Sequence, residues 1–142
     1  MMRIAVVWFT CARDRDLLQV SLASFRSIKG ITWSFHAAID VKDEPTALPK
    51  DVQQIRTGFP RNGNLNGIDC VAGMLEVMQS VADDVDYVIK VDSDMIVRGT
   101  RWLTYLESRT WALVGGARDF VYAMGCWGGA YCLASKALQQ LP

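Results

Sequence analysis

Two short stretches do most to limit what this chain can fold into: "RIAVVWF" (Arg3 to Phe9) and "DYVIKVDSDMIV" (Asp86 to Val97). The first is a continuous apolar run rich in β-branched and aromatic residues, as a strand covered on both faces requires. In the second, Tyr87, Val88, Ile89 and Val91 suit a buried strand, which then runs into Asp92 and Asp94. Between the two the period changes. Leu18, Leu22, Phe25 and Ile28 recur at helical spacing, and Gly30 marks the stop.

The remaining segments continue the alternation. "ITWSFHAAID" predicts a second strand ending at Asp40, "VKDEPTALPK" a loop and "VQQIRT" a weak third strand. The turn-rich "GFPRNGNLNG" leads into a helix over 68–81, whose apolar face is predicted to carry Ile68, Val71, Ala72, Leu75, Met78 and Val81. A helix capped by Thr100 should run through Thr110, and "WALVGGA" should form another strand. "AMGCWGGAYCLASKALQQLP" reads as a glycine turn, a short strand and a helix beginning near Ser135. The order β-α-β-(β)-α-β-α-β-β-α predicts an α/β three-layer sandwich with a mostly parallel central sheet. Without a linker, repeat or low-complexity tract, residues 1–142 are expected to form a single domain.

Composition narrows the function classes. Lys plus Arg and Asp plus Glu both number 15, so the chain lacks the basic excess of a nucleic-acid binder. No apolar run approaches the roughly 20 residues of a membrane span. Cys11, Cys70, Cys126 and Cys132 include no C-x-x-C pair, and they read as reduced and packed, in keeping with a cytoplasmic location. His36, flanked by Phe35 and Ala37, reads as a satisfied core histidine.

In open α/β sheets ligands bind beyond the carboxyl ends of the strands, where Asp92 and Asp94 occur. In extended backbone, residues i and i+2 point to one side, so both carboxylates are expected to face one ligand. Two hard oxygen donors suit Mg²⁺ or Mn²⁺, which take further ligands from water and substrate phosphates. The plainer alternative is a solvated strand exit.

"YVIKVDSDMIV" resembles the D-x-D segment of GT-A-fold glycosyltransferases, and is most similar to the β-1,3-galactosyltransferase and Fringe-like group, whose strand reads like "YVLKxDDDxFV". "YAMGCWGGAYCLASKAL" (Tyr122 to Leu138) resembles that group's later "PYxxGxGYVLSxxAL", and "RNGNLNGIDCVAGMLEVM" is placed like the Asn-containing loop and helix before D-x-D. The resemblance implies a GT-A-like (Rossmann-like) nucleotide-sugar-binding domain. It further implies a hexosyltransferase using a nucleotide-sugar donor, UDP-linked by preference, a glycan or other hydroxyl acceptor, and Mn²⁺ or Mg²⁺ at Asp92 and Asp94.

The same resemblance distributes roles. Thr10 to Asp14 should line the nucleotide site, with Arg13 on a phosphate or the base; an ordinary helix start with Asp14 at the dipole is the alternative. Asp40 resembles an acid that contacts uridine or ribose, or is a turn Asp. Arg61, Asn64 and Asn66 would bind base or diphosphate, or simply build turns. Gly128 and Gly129 would admit an acceptor sugar close to the backbone, and Trp127 would stack on it, unless these are a plain turn and a buried ring.

Two departures stand out. The late metal-binding His of many members is absent, and so is the "ED" pair that would supply the catalytic base. Asp119 is the one local candidate for that base, and a domain truncated after Pro142 is the expected reason. A cleft lacking a wall would leave apolar surface near Trp127 and Tyr131, implying a homo-oligomer. Two other readings remain: a non-catalytic GT-A-like remnant that binds nucleotide, sugar or a partner chain, and a D-x-D phosphatase of the haloacid-dehalogenase type, disfavoured because its motif belongs on the first strand.

Overall fold

A computed structural model describes residues 1–44, 47–60, 67–108, 113–120 and 123–141, with backbone alone over 113–120 and 123–129. The elements follow the predicted order: β1 (Met2–Thr10), a 3-10 turn (Ala12–Asp14), α1 (Arg15–Arg26), β2 (Ile31–Asp40), β3 (Val52–Thr57), α2 (Gly67–Ser80), β4 (Tyr87–Asp92), α3 (Leu103–Ser108), β5 (Leu113–Phe120), β6 (Ala123–Ala134) and α4 (Ser135–Leu138).

They build one six-stranded sheet in the order β3-β2-β1-β4-β6-β5. β3, β2, β1 and β4 are parallel, whereas β6 runs antiparallel to both β4 and β5. All strands but β6 therefore end at the same edge. β1 lies between β2 and β4, which explains its unbroken apolar run: it has a core to fill on each side.

Strand alternation separates the two cores. Ile4, Val6 and Trp8 join Leu18, Leu22 and Phe25 of α1 and Leu103 and Leu106 of α3. Ala5 and Val7 join Val77 and Met78 of α2 and Leu138 of α4. The result is a three-layer α/β sandwich. Trp8 is fully buried, and its indole donates to Ser21 Oγ at 2.8 Å, so the one polar atom of the ring is satisfied inside the α1 interface. Gly30 adopts φ +81 after α1, as the stop required.

Three local expectations are corrected. Ile68, Val71 and Ala72 are exposed, and the buried stripe of α2 is Cys70, Gly73, Val77 and Met78. α2 is apolar nearly all round, so its sequence does not single out a face; the close approach of Phe59 at Gly73 does. α3 starts at Leu103 rather than after Thr100, which instead accepts the Leu103 N–H in a preceding turn at 2.9 Å. The glycine segment 125–129 is strand and not turn, because β6 extends over Ala123–Ala134. Its pairing with β5 jumps from Gly115–Tyr131 to Ala117–Cys126, and the break absorbs the irregular glycine sequence.

His36 is buried but incompletely satisfied. Its Nε2 lies 3.2 Å from Ser34 Oγ, while Nδ1 has no hydrogen-bond partner among the described residues. It lines a cavity of about 560 Å³ with Arg3, Gln53, Asp83 and Asp84, on the α2 side of the sheet and toward the amino ends of the strands. Burial lowers its pKa below the ordinary 6.5. The unfolded chain thus takes up a proton before the folded one does, and stability contributed by neutral His36 is lost as pH falls below about 6.5. Measured by thermal melting between pH 7 and 5, the wild type should lose more stability than His36→Gln.

Gly73 carries a second expectation. A Cβ there would sit 2.2 Å from Cγ and 2.6 Å from Cβ of Phe59. Such overpacking costs about 1–3 kcal/mol, more than the roughly 0.5–1 kcal/mol alanine gains inside a helix. Gly73→Ala should therefore lower the denaturation midpoint, and pairing it with Phe59→Ala should remove most of the added penalty.

Candidate active site

The carboxyl edge gathers the ends of β1, β2 and β4. Phe9 pairs with Asp92, and Thr10 with Ile39 beside Asp40, so the three chain exits lie side by side. Together with α2 they frame a cleft of about 630 Å³, whose apolar lining is Phe9, Phe59, Cys70 and Met74 and whose polar lining includes Thr10, Asp14, Asp40, Lys42, Asp43, Lys90 and Asp92, with Cys11. Phe9 and Phe59 meet edge to face at 6.1 Å and form its apolar wall.

Asp92 is the last residue of β4 and lines this cleft; Asp94 does not line it. The strand stops at Asp92, and the Met95 N–H closes a turn onto the Asp92 carbonyl at 3.1 Å. The i, i+2 rule consequently ends before Asp94, which lies exposed in the turn and does not line the cleft. Within the strand, the residue that shares Asp92's side is Lys90. Its side chain is only 6% exposed against 44% for Asp92, and its Nζ lies 2.5 Å from Asp92 Oδ1. An ammonium so far out of water needs a counter-charge, and Asp92 provides one.

The turn is tied to the first βα unit at two points. Ser93, buried, donates to Asp14 Oδ2 at 2.9 Å. The Val97 N–H donates to Ser24 Oγ at 3.1 Å, and Ser24 in turn donates to the Ser21 carbonyl at 2.6 Å. Asp14 therefore acts as an anchor for the acidic turn, with no side-chain capping bond at the start of α1.

The other predicted residues divide by place. Thr10 is buried on the cleft wall. Arg13 is exposed in the 3-10 turn and does not line the cleft. Asp40 lines it while accepting the Lys42 N–H at 2.8 Å, the bond of an Asx turn, and Arg56 braces that loop through the carbonyls of Val41 and Asp43. Arg61, Asn64 and Asn66 lie outside the described residues. Asp119 belongs to β5 rather than a loop, close to the end of that strand at the carboxyl edge, and its side chain is outside the description. Trp127, Gly128 and Gly129 fall in β6 just beyond the Val91–Ala130 pair, so their backbone passes the end of β4.

Lys90 and Ser93 went unassigned in the sequence. A lysine inside an otherwise apolar strand, two residues before an Asp, was the available signal for the first. Nothing local pointed to the Ser93–Asp14 bond, because its partners are 79 residues apart.

Asp92 alone of the D-x-D acids lines the cleft, with Asp94 exposed in the adjoining turn, so the hard oxygens present suit a divalent cation that keeps waters and shares a substrate's phosphates rather than one held in a closed cage. No group of three or more His, Cys, Asp or Glu suited to a metal occurs among the described residues.

No protein-family model matches the chain, and no curated protein matches it in sequence. Solved structures do. A galactosyltransferase LgtC, solved in complex with donor and acceptor sugar analogs, matches 97% of this chain with TM-score 0.64 and 16% identity. The apo-form glycosyltransferase GlyE of Streptococcus pneumoniae TIGR4 matches 96% with TM-score 0.55 and 16% identity. The fold is of the GT-A type. A 4-diphosphocytidyl-2C-methyl-D-erythritol synthase from Anaerococcus prevotii is also similar, at TM-score 0.59 and 11% identity over 95% of this chain and 70% of its own. The chain spans 60% of the LgtC chain and 35% of the GlyE chain.

Proposed function

We propose that this GT-A-like domain binds a nucleotide-diphosphate sugar, UDP-linked by preference, and transfers its hexose to a hydroxyl acceptor. The observation that carries this reading is the cleft at the carboxyl edge, where Asp92 faces the loop that follows β1. The fold likeness to LgtC and GlyE supports it, as does the D-x-D resemblance to the β-1,3-galactosyltransferase and Fringe-like group.

In this reading Phe9, Phe59 and Met74 offer an apolar surface for a base, and Asp40 lies within reach of a ribose. Among the described residues, the cleft is lined by the carboxylates of Asp14, Asp40, Asp43 and Asp92 and by two ammonium groups, Lys42 and Lys90. A diphosphate entering it meets an acidic excess. Mn²⁺ or Mg²⁺ held by Asp92, and by Asp94 once it turns in from its exposed position, would offset that repulsion and stabilise the leaving diphosphate. Gly128 and Gly129 would pass beside the acceptor, and Asp119 is the acid proposed to take its proton. Association of chains across the apolar groove formed by Ile96, Trp102, Tyr105 and Tyr131 belongs to the same proposal.

Calorimetric titration of UDP with Mn²⁺ or with EDTA tests the reading on the wild type and two variants. Asp94→Asn should abolish the metal-dependent part of binding and leave thermal stability unchanged, since Asp94 is exposed. Asp92→Asn should weaken UDP binding and also cost about 1–3 kcal/mol of stability, because the ion pair with Lys90 is lost while water still reaches the site. Equal UDP affinity in all three proteins, with or without metal, would reduce the two acids to a solvated strand end.

A further inference from the structure

Resting on the metal-assisted reading above, we infer that Lys90 is a built-in counter-ion that competes with a divalent cation for Asp92 and so governs how the cleft is charged. The two groups rise from the same side of β4, and Nζ stands 2.5 Å from Asp92 Oδ1. Nζ also lies 5.9 Å from the centroid of the Tyr131 ring on neighbouring β6, a second electron-rich partner for the cation. The lysine side chain is almost wholly buried, while the carboxylate is half-exposed and opens to the cleft. One oxygen of Asp92 is thereby committed, and the charge of Asp92 is balanced within the protein.

Two consequences follow from electrostatics. A divalent cation approaching Asp92 meets a fixed positive charge on the same carboxylate, so its affinity for the protein without nucleotide is depressed. An anionic diphosphate meets an ammonium already present in the floor, so some affinity for anions persists without metal. Lys90 thus biases the cleft toward receiving cation and diphosphate together and against holding the cation alone. It is a positioning residue for Asp92 and a specificity element for anionic donors.

The test uses Mn²⁺ alone and pyrophosphate alone, followed by calorimetry and by the electron spin resonance signal of free Mn²⁺. Lys90→Met should bind Mn²⁺ about tenfold more tightly than the wild type, on the order expected for removing one nearby positive charge. The same variant should lose the binding of pyrophosphate measured in EDTA, and Lys90→Arg should restore both wild-type behaviours. A merely structural lysine would not raise metal affinity when removed. Unchanged or weaker Mn²⁺ binding by a folded Lys90→Met overturns the inference, as does the absence of Mn²⁺ binding in both proteins.

Should Lys90→Met fail to fold, the wild type still decides. The ¹⁵N resonance of the Lys90 ammonium should shift when Mg²⁺ is added to saturation, and a resonance that stays in place overturns the inference. These arms contain no nucleotide, so their failure leaves the glycosyltransfer reading to the UDP titration, and the reverse also holds.

Discussion

A strand flanked by two parallel neighbours and covered by helices on both faces has no place for a polar side chain until it ends. β1 is in that position, and from Ile4 to Trp8 every side chain is apolar and fully buried. The same constraint acts on β4 through Val88, Ile89 and Val91. Polar chemistry is thereby pushed to the strand ends, and since β1, β2, β3 and β4 are parallel, their ends coincide. Thr10, Asp14, Asp40 and Asp92 come from distant parts of the chain to line one cleft for that reason.

Lys90 is the exception to the rule and locates the site. A lysine with 6% side-chain exposure in the middle strand of a sheet is costly unless something compensates its charge. Asp92 does so, which makes the first acid of the D-x-D segment part of the folded core's electrostatics as well as a cleft residue. Asp94 stands in the turn without that obligation. The two acids are alike in sequence and different in physical situation, so they should respond differently to substitution.

Much of this was legible in the chain itself. The apolar runs defined β1 and β4, the 3.6-residue period of Leu18, Leu22 and Phe25 defined α1, and the alternation of elements implied the three layers. What escaped depended on contacts between distant segments. Gly73 is buried because Phe59 lies against it, and no periodicity within α2 reveals that. Ser93 meets Asp14 only after β4 has docked beside β1. The glycines of β6 suggest a turn locally, whereas pairing with β4 from Ala130 to Ala134 holds them in line as strand. The exposure of Asp94 outside the cleft lining reflects a strand that ends one residue after Val91, a boundary set by the turn onto Asp92 and invisible in the D-S-D spacing.

Among the described residues, the α2 face of the sheet carries a cavity at each end, of similar size, and the one at the carboxyl edge contains Asp92 and Lys90. Hydrogen–deuterium exchange with and without UDP and Mn²⁺ distinguishes them most directly. The account expects added protection in peptides spanning Phe9 to Asp14, Asp40 to Asp43 and Lys90 to Met95, with no change around His36 and Val81 to Val85. Protection confined to those last segments, or none anywhere at saturating UDP and Mn²⁺, would contradict the assignment of the carboxyl-edge cleft as the nucleotide site.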